Sequence, residues 1–282
     1  MAAFDWYQAT IPAPVDDVLE ALCGLDERVE LKHTRGMHGY GTSTRLEGHE
    51  GLLAQVWHGG KHAHPHAVIS GENAQPGSEL IRANFPLHLV TRLDAKEDFE
   101  DPDAFDRMQA VLLGVATTRR IKVDARGDHF VTKQGRTINL GASSSACSAR
   151  LYEKAAQLRA RFAADPVRLA AVPEHLTRFE AEVHPQTREA KEHFSTIEPL
   201  AVMGSSPWLR DVWHGLVGQH LTPVQVGKKW RQSDDDRAYA FLLAQYGGLL
   251  ERIKADSGSW ECVGLQIGHD LVERAKAKRG IR

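Results

Sequence analysis

The chain has few cysteines and no long apolar segment, so it lacks the features that are typical of cysteine-ligated metal sites, disulfide-bonded proteins and membrane proteins. Its three cysteines, Cys23, Cys147 and Cys262, are far apart and form no Cys-x-x-Cys pair. This argues against a zinc site or a disulfide framework and favours a reducing cytoplasm. No apolar run approaches membrane-spanning length, and the N-terminus lacks the cationic and apolar segments of a signal peptide. We therefore expect a cytoplasmic protein that does not engage a membrane.

An excess of charge and a nucleotide fingerprint are also missing. The formal net charge is -2 over 282 residues, and a charged content of 26% is ordinary for a soluble globular protein. Any contact with a polyanion must therefore come from local cationic patches. The absence of a Gly-x-Gly-x-x-Gly or Walker-type loop weighs against the commonest nucleotide-dependent enzymes.

Residue periodicity predicts a mixed α+β protein. Strand-like segments separated by turns dominate up to about residue 200, and helical spacing dominates beyond it. Within the first part we predict a helix over 101–120, with Asp101 as its N-cap. A hairpin follows, with a strand at 129–133 and a turn at Gln134-Gly135. The expected organisation is a sheet-centred domain over 1–200 and a helical section with a basic tail over 201–282.

Three strand-like segments carry charged or polar side chains at alternate positions, so that these share a face. Neighbouring strands of this kind would place on one face the groups that handle a phosphodiester: carboxylates for a divalent metal, and cations for phosphate oxygens. Alternation alone favours the simpler interpretation, a solvated face of cross-strand ion pairs. The side chains are Arg92 and Asp94; Arg178, Glu180, Glu182 and His184; and Arg150, Tyr152 and Lys154.

A histidine-rich segment offers a second metal hypothesis. His62, His64 and His66 stand at alternate positions, and a His-x-His pair on a strand is a known ligand geometry of endonucleases. Pro65 interrupts the strand pattern, however, and a histidine-rich surface loop is the alternative.

Two basic clusters could meet DNA phosphates. One comprises Lys228, Lys229 and Arg231, and the other lies within 274–282. A solvated helix face and a frayed tail explain these clusters equally well.

Four segments, in order along the chain, resemble the signature motifs of a known family. The segments are 66-HAVISG-71, 91-TRLDAKEDF-99, 137-TINLGASSSACSARLYEK-154 and 177-TRFEAEV-183. They resemble the replication initiation factor family (the Rep_trans type) of rolling-circle plasmids and filamentous phages, over roughly residues 40–255.

The resemblance implies a fold, an activity and partners. The expected fold is an α+β domain centred on an antiparallel sheet and related to the HUH endonucleases. Members of the family bind a replication origin and nick one strand with a tyrosine, using a divalent metal such as Mg²⁺ or Mn²⁺. They stay attached through a 5′-phosphotyrosine and leave a free 3′-OH. The expected partner is origin DNA, single-stranded at the nick site, with a helicase and a second copy of the chain as further candidates.

The same resemblance assigns site residues. It places Asp94 and Glu180 at the metal and matches Asp98 to a second acidic position, while His66, from the histidine-rich segment, is a further metal candidate. Asp98 lies two strand repeats from Asp94, roughly 13 Å, so we do not expect both to bind one ion. Arg150 and Lys154 are assigned to catalysis. The predicted DNA contacts are Arg92, Gly141, Ser143, Ser144, Ser145, Arg178, Lys228, Lys229 and Arg231.

The family nucleophile is missing from its expected position. The family has a tyrosine two residues ahead of the glycine, and this chain has Asn139. Asparagine cannot form a phosphotyrosyl link. The chain could carry a disabling substitution, it could be a DNA-binding regulator without nicking activity, or Tyr152 could replace the missing nucleophile. A remaining alternative is that the four motifs are coincidental and that the chain is an unrelated α+β enzyme.

Overall fold

The computed structural model describes residues 1–142, 144–227 and 234–279. The chain divides into two compact units, Met1–Lys228 and Lys229–Arg282. The boundary expected from sequence lay near residue 200, at the start of the helical pattern. The helices immediately beyond that point contribute Val202, Leu209 and Trp213 to the core of the first unit.

Ten strands of the described first unit form one sheet, in which every neighbouring pair is antiparallel. Across the sheet the order is β2-β3-β4-β5-β1-β6-β10-β9-β8-β7. The strands are β1 (Ala3–Thr10), β2 (Glu30–Arg35), β3 (Thr42–Gly48), β4 (Gly51–His58), β5 (His66–Ser70), β6 (Leu89–Phe99), β7 (Val123–Arg126), β8 (Thr137–Leu140), β9 (Cys147–Glu153) and β10 (Thr177–Val183).

Helices connect these strands and extend beyond them. Those of the first unit are α1 (Val15–Cys23), α2 (Ala74–Asn84), α3 (Ala104–Arg119), α4 (Lys154–Arg161), α5 (Pro166–Ala170), α6 (Arg188–Phe194), α7 (Pro199–Val202) and α8 (Pro207–Val217). The second unit contains α9 (Asp234–Ser257) and α10 (Trp260–Arg279). No helix in the described part of the chain is long and apolar enough to cross a membrane.

Strand alternation divides the sheet into an apolar and a polar face. Tyr7, Leu93 and Phe179 are fully buried in one core cluster. Residues of α3 at helical spacing, Phe105 and Met108 among them, belong to the same cluster. Burial of apolar side chains of this size stabilises the fold by about 1.5–3 kcal/mol each. The polar side chains of β6, β10 and β9 therefore occupy the opposite face.

The structure corrects the predicted hairpin. Strand β7 is Val123–Arg126, and it pairs with β8 through Arg126 and Thr137. Residues 129–133, predicted as a strand, lie in the connecting loop. The reason is the Asp128 carboxylate, which accepts the backbone N–H groups of residues 130–132 at 2.7–2.9 Å. These donors are then no longer available to a strand ladder.

The N-terminus of α3 also differs from the expectation. The helix begins at Ala104 after Asp103, and no side chain caps it. Asp101, the predicted N-cap, accepts two hydrogen bonds from Arg107 instead, at 2.7 and 3.2 Å. A competing ion pair has therefore taken the carboxylate that the sequence pattern assigned to the cap.

Candidate functional site

Strands β6, β10, β9, β8 and β7 are consecutive in the sheet, and this brings the predicted site residues together. Asp94 lies opposite Glu182, Glu180 lies opposite Arg150, and Arg150 lies opposite Asn139. A pocket of about 370 Å³ opens here. It is lined by Asp94, Lys122, Asp124, Arg126, Asn139, Leu140, Gly141, Ala142, Ser148, Ala149, Arg150, Glu180 and Glu182. Three positions from three of the resembling segments, 94, 139 and 180, thus share one cavity.

Arg92 links two carboxylates at the edge of this pocket. Its guanidinium donates to both oxygens of Asp94, at 2.8 and 2.6 Å, and to Glu182 at 2.9 Å. It also lies over the Trp6 ring, 4.5 Å from the centroid. Burial raises the pKa of Asp94 despite this pairing. Arg92 was predicted to contact DNA, and its Nε and Nη2 groups here donate to the carboxylates of Asp94 and Glu182.

Glu182 is a site residue that sequence reasoning did not assign. Its carboxylate accepts from Arg92 and is hydrogen-bonded to His184 Nε2 at 2.7 Å. The hydrogen bond with His184 lowers the pKa of Glu182, and the charge of Arg92 acts in the same direction. The signal was present in the alternation of β10, which places residues 180 and 182 on one face.

Glu180 is buried with incomplete charge compensation. Its carboxylate accepts from the Tyr152 hydroxyl at 2.5 Å, while Arg150 and Arg178 lie 3.8 and 3.9 Å away. Burial, with the negative charge of Asp5, raises the pKa of Glu180 to about 6. Burial and the neighbouring Glu180 charge also raise the pKa of Tyr152 far above that of a free phenol. These surroundings disfavour a phenolate at Tyr152.

Arg178 and Asp98 form a pair away from the pocket. Arg178 donates to both Asp98 oxygens, at 2.6 and 2.8 Å, and to Asp5 at 2.9 Å. Only 8% of its side chain is exposed. Asp98 is therefore engaged with Arg178 and does not line the pocket with Asp94, consistent with the separation expected from strand geometry.

Lys154 lies beside Tyr152, at the start of α4. Its ammonium is 5.6 Å from the centroid of the Tyr152 ring and donates to Gln157 at 2.8 Å. Burial and the nearby Arg178 charge lower the pKa of Lys154. It does not line the pocket, whereas Arg150, the other predicted catalytic cation, does.

Asn139 is held between an anion and a cation. Its amide nitrogen donates to the backbone oxygen and the carboxylate of Asp124, both at 3.4 Å. Its amide oxygen accepts from Arg150 Nε at 3.2 Å. A neutral side chain with both a donor and an acceptor satisfies both neighbours here.

The small residues after β8 form the pocket wall. Gly141 has φ +89°, which L-residues with a Cβ rarely adopt, and a Cβ there would lie 3.1 Å from the Cys147 carbonyl oxygen. Ser144 is exposed, and the amide of Ser145 donates to the Ala142 carbonyl at 2.9 Å. Gly141 and Ala142 line the pocket and carry no side chain larger than a methyl group, so a bound chain can approach their backbone closely. Ser143 lies outside the described residues.

The structure does not bring His66 to the carboxylates. His66 lies on β5, and its ring stacks on Trp57 with centroids 5.7 Å apart. Both ring nitrogens have hydrogen-bond partners, Gln8 at 2.8 Å and Thr10 at 3.0 Å. Burial lowers the pKa of His66 to about 4. The predicted DNA contacts Lys228, Lys229 and Arg231 lie outside the described residues.

The acidic side chains of the pocket are of the type that binds a hard cation, but they are not positioned around one. Carboxylates are the donors that Mg²⁺ and Mn²⁺ prefer. The raised pKa values of Asp94 and Glu180 show buried carboxyl groups that lack full compensation. Within the described residues, no group of three or more His, Cys, Asp or Glu side chains is arranged to hold a metal ion. Arg92 occupies the oxygens of Asp94.

The segment of edge strand β7 contributes three pocket residues that the sequence analysis did not assign: Asp124 and Arg126 on the strand, and Lys122 directly before it. Asp124 and Arg126 repeat the alternation of acid and arginine seen on the other strands. That signal was available, but the predicted position of the hairpin strand concealed it.

A known protein shares this architecture. The solved structure of a rolling circle replication initiator protein from Geobacillus stearothermophilus matches with a TM-score of 0.51 and 17% sequence identity, over 84% of this chain and 90% of that one. No protein-family model and no curated protein matches the sequence. The likeness confirms the predicted fold class, a mixed α+β domain with a large antiparallel sheet.

Proposed function

We propose that this chain is a DNA-binding protein of the rolling-circle initiator type. It binds a single-stranded segment of an origin in the pocket on strands β6, β10, β9, β8 and β7. The observation that carries the proposal is the shared pocket of Asp94, Asn139 and Glu180, together with Arg150. Those four positions lie on four different strands, β6, β8, β10 and β9, and the strand order brings them together.

The residues of the pocket divide by chemistry. Lys122, Arg126 and Arg150 supply cations for phosphate oxygens. The backbone at Gly141 allows close approach of a strand. Asp94, Glu180 and Glu182 supply carboxylates for a divalent cation, but they are not arranged around one here, so Arg92 would have to release Asp94 and the three carboxylates would have to converge. Such a cation, when bound, polarises a non-bridging phosphate oxygen.

Asn139 favours a second candidate, a DNA-binding regulator on the same fold that does not nick. The amide is bonded on both sides, to Asp124 and Arg150, so it is accommodated by its neighbours. Binding of DNA is common to both candidates, and formation of a covalent adduct separates them.

Binding of DNA should depend on the pocket cations. Because the net charge is -2, we expect few phosphate contacts and a shallow salt dependence. Neutralising Lys122, Arg126 and Arg150 to glutamine should reduce the slope of log affinity against log salt by roughly 0.7 for each lost contact with a single strand. Fluorescence anisotropy with labelled single-stranded and stem–loop oligonucleotides, recovered by selection from a random pool, measures this slope.

A matched triple variant provides the control. Arg28, Lys61 and Arg188 are exposed cations outside the pocket, and their replacement by glutamine removes the same total charge. Equal slopes for the two triple variants would show that the footprint lies elsewhere. Failure of the selection to recover any bound DNA would overturn the proposed function.

The pH dependence of stability tests the state of Glu180. Its folded pKa of about 6 exceeds the ordinary 4.5, so the fold favours the protonated form. Protonated Glu180 therefore contributes to the free energy of unfolding. This contribution is fully present below pH 4.5 and is lost as the pH rises through 6. Without metal, Glu180→Gln should therefore stabilise the protein at pH 8 by up to about 2 kcal/mol, with no gain at pH 4. Urea unfolding measures both values.

Addition of Mn²⁺ then tests Glu180 as a ligand. The cation should raise the melting temperature of the unaltered chain at pH 8 and raise that of Glu180→Gln much less, because binding to the native state stabilises it. Glu100→Gln, at an exposed position, is the control. Destabilisation of Glu180→Gln at pH 8 without metal would mean that the nearby arginines outweigh burial.

A further inference from the structure

The loop that joins β7 to β8, residues 127–136, presents two apolar side chains to solvent. Phe130 is 92% exposed and Val131 is 86% exposed, although both residue types are normally buried. Neither side chain belongs to the core cluster. This pair of adjacent, almost fully exposed apolar side chains at a loop tip is available to contact a partner.

The loop is built to hold this tip in place. Asp128 accepts from the amides of Phe130 and Val131, both at 2.9 Å, and from the amide and hydroxyl of Thr132 at 2.7 and 2.8 Å. These four bonds lower the pKa of Asp128 strongly. The carboxylate therefore stays ionised and keeps the Phe130–Thr132 backbone bent outward.

Further contacts fix both legs of the loop. His129 is hydrogen-bonded to Gln109 of α3 and to the Arg126 carbonyl, each at 3.1 Å. On the return leg, Arg136 donates to Asp106 and Glu153 at 2.6–3.2 Å. At the neck, Gly127 has φ +87° and approaches Gly135 so closely that a Cβ would lie 2.2 Å from its carbonyl oxygen. The apolar tip is thus anchored to the body of the first unit.

The loop is carried by two strands that line the pocket, and this position indicates the kind of partner that its tip would contact. Strands β7 and β8, which carry the loop, also supply Asp124, Arg126 and Asn139 to the pocket, and Lys122, directly before β7, lines it too. The base of the loop, at the Arg126–Thr137 pair, is two residues from Asn139, roughly 7 Å along the strand. Two exposed cations flank the tip, Arg126 before it and Lys133 after it, and they pair with Asp124 at 2.9 Å and with Asp106 at 3.6 Å. The loop meets the pocket at its base, through Arg126, while His129 and Arg136 hold its legs on α3. A rigid apolar tip carried by two strands of the pocket suits contact with the bases of the DNA proposed to lie there.

We propose that Phe130 and Val131 form a wedge that inserts between bases at the junction of a stem and the single strand held in the pocket. Apolar side chains that enter a base step separate the stacked bases. An aromatic ring then replaces part of the lost stacking. The inference rests on the proposed function and deepens it, because it names a junction between paired and unpaired DNA as the structure that is bound.

Fluorescence of 2-aminopurine tests the wedge. The probe is a stem–loop oligonucleotide with a single-stranded arm, in which 2-aminopurine replaces one base of the first stem pair. We expect the unaltered chain to increase its fluorescence on binding, because the base loses its stacking. Phe130→Ala should abolish the increase and weaken affinity for the stem–loop about tenfold, with little change for the arm alone. Asp128→Ala, which frees the loop but keeps Phe130, should weaken both effects.

The control is Leu87→Ala, since Leu87 is 79% exposed and does not line the pocket. It should behave as the unaltered chain. Binding of the probe without a fluorescence increase, or an undiminished increase with Phe130→Ala, would overturn the wedge and leave the proposed function standing. No binding of stem–loop or single strand by the unaltered chain would overturn the proposed function, and the wedge with it.

Discussion

Asn139→Tyr is expected to yield a covalent protein–DNA adduct where the unaltered chain yields none. The residue-139 side chain lines the pocket beside Arg150 and Gly141, so a phenol there would face the bound strand. In the chemistry implied by the family resemblance, the phenol oxygen forms a bond to phosphorus and the 3′-oxygen of the neighbouring nucleotide leaves. The phenol gives up its proton, the leaving 3′-oxygen takes up a proton and becomes a 3′-OH, and one phosphodiester replaces another. Arg150 would stabilise the developing charge.

Denaturing electrophoresis with end-labelled single-stranded DNA and Mn²⁺ measures the adduct. Asn139→Phe, which has the ring without the hydroxyl, is the matched control and should give no adduct. Placement limits the yield, because a misplacement of about 1 Å can cost on the order of a hundredfold in rate. No adduct from Asn139→Tyr, with DNA binding retained, would favour the non-catalytic regulator.

The same assay decides the role of Tyr152. Its hydroxyl donates to Glu180, and its buried position disfavours the phenolate. We therefore expect no adduct from the unaltered chain. An adduct that is lost in Tyr152→Phe would show that the nucleophile is Tyr152 and that position 139 has another role.

The sequence was most informative where a periodic pattern was long. Alternation over β10 correctly grouped Arg178, Glu180 and Glu182 on one face, because a seven-residue strand has few ways to place its apolar side chains. The fold class followed from such patterns together with the helical spacing near the C-terminus. The order of strands in the sheet did not follow, since it depends on contacts between distant segments. That order is what places Asn139 near Asp94.

The sequence also could not show which carboxylate each arginine of the polar face pairs with. Arg92 and Arg178 stand in equivalent Arg-x-acid patterns, yet Arg92 reaches Asp94 on its own strand and Arg178 reaches Asp98 across strands. Several acids lie within reach of each guanidinium, and small differences in register decide between them. The loop around Asp128 is a second case in which the sequence did not reveal the partner. Residue propensity favoured a strand at 129–133, but the Asp128 carboxylate accepts the backbone N–H groups that such a strand would need.

These pairings give Arg178 a structural role, and Arg178→Met should destabilise the protein severely. The substitution would leave Asp98 without the cation that now donates to it, while Asp5, which Arg178 also contacts, would keep Lys96 at 2.9 Å. Removal of one partner of a buried ion pair costs about 3–5 kcal/mol, because the remaining charge stays desolvated. Asp98 itself is partly exposed, so we expect the lower part of that range in urea unfolding at pH 7.

Arg107→Met is the matched control for this prediction. Arg107 also donates to both oxygens of one carboxylate, that of Asp101, but 59% of its side chain is exposed. Exposed pairs contribute about 0–1 kcal/mol, so the two substitutions should differ by at least about 2 kcal/mol. Arg178→Met with unchanged stability and weakened DNA binding would instead restore the phosphate contact that the sequence predicted. The comparison is informative because each guanidinium donates to both oxygens of one aspartate, while only that of Arg178 is buried.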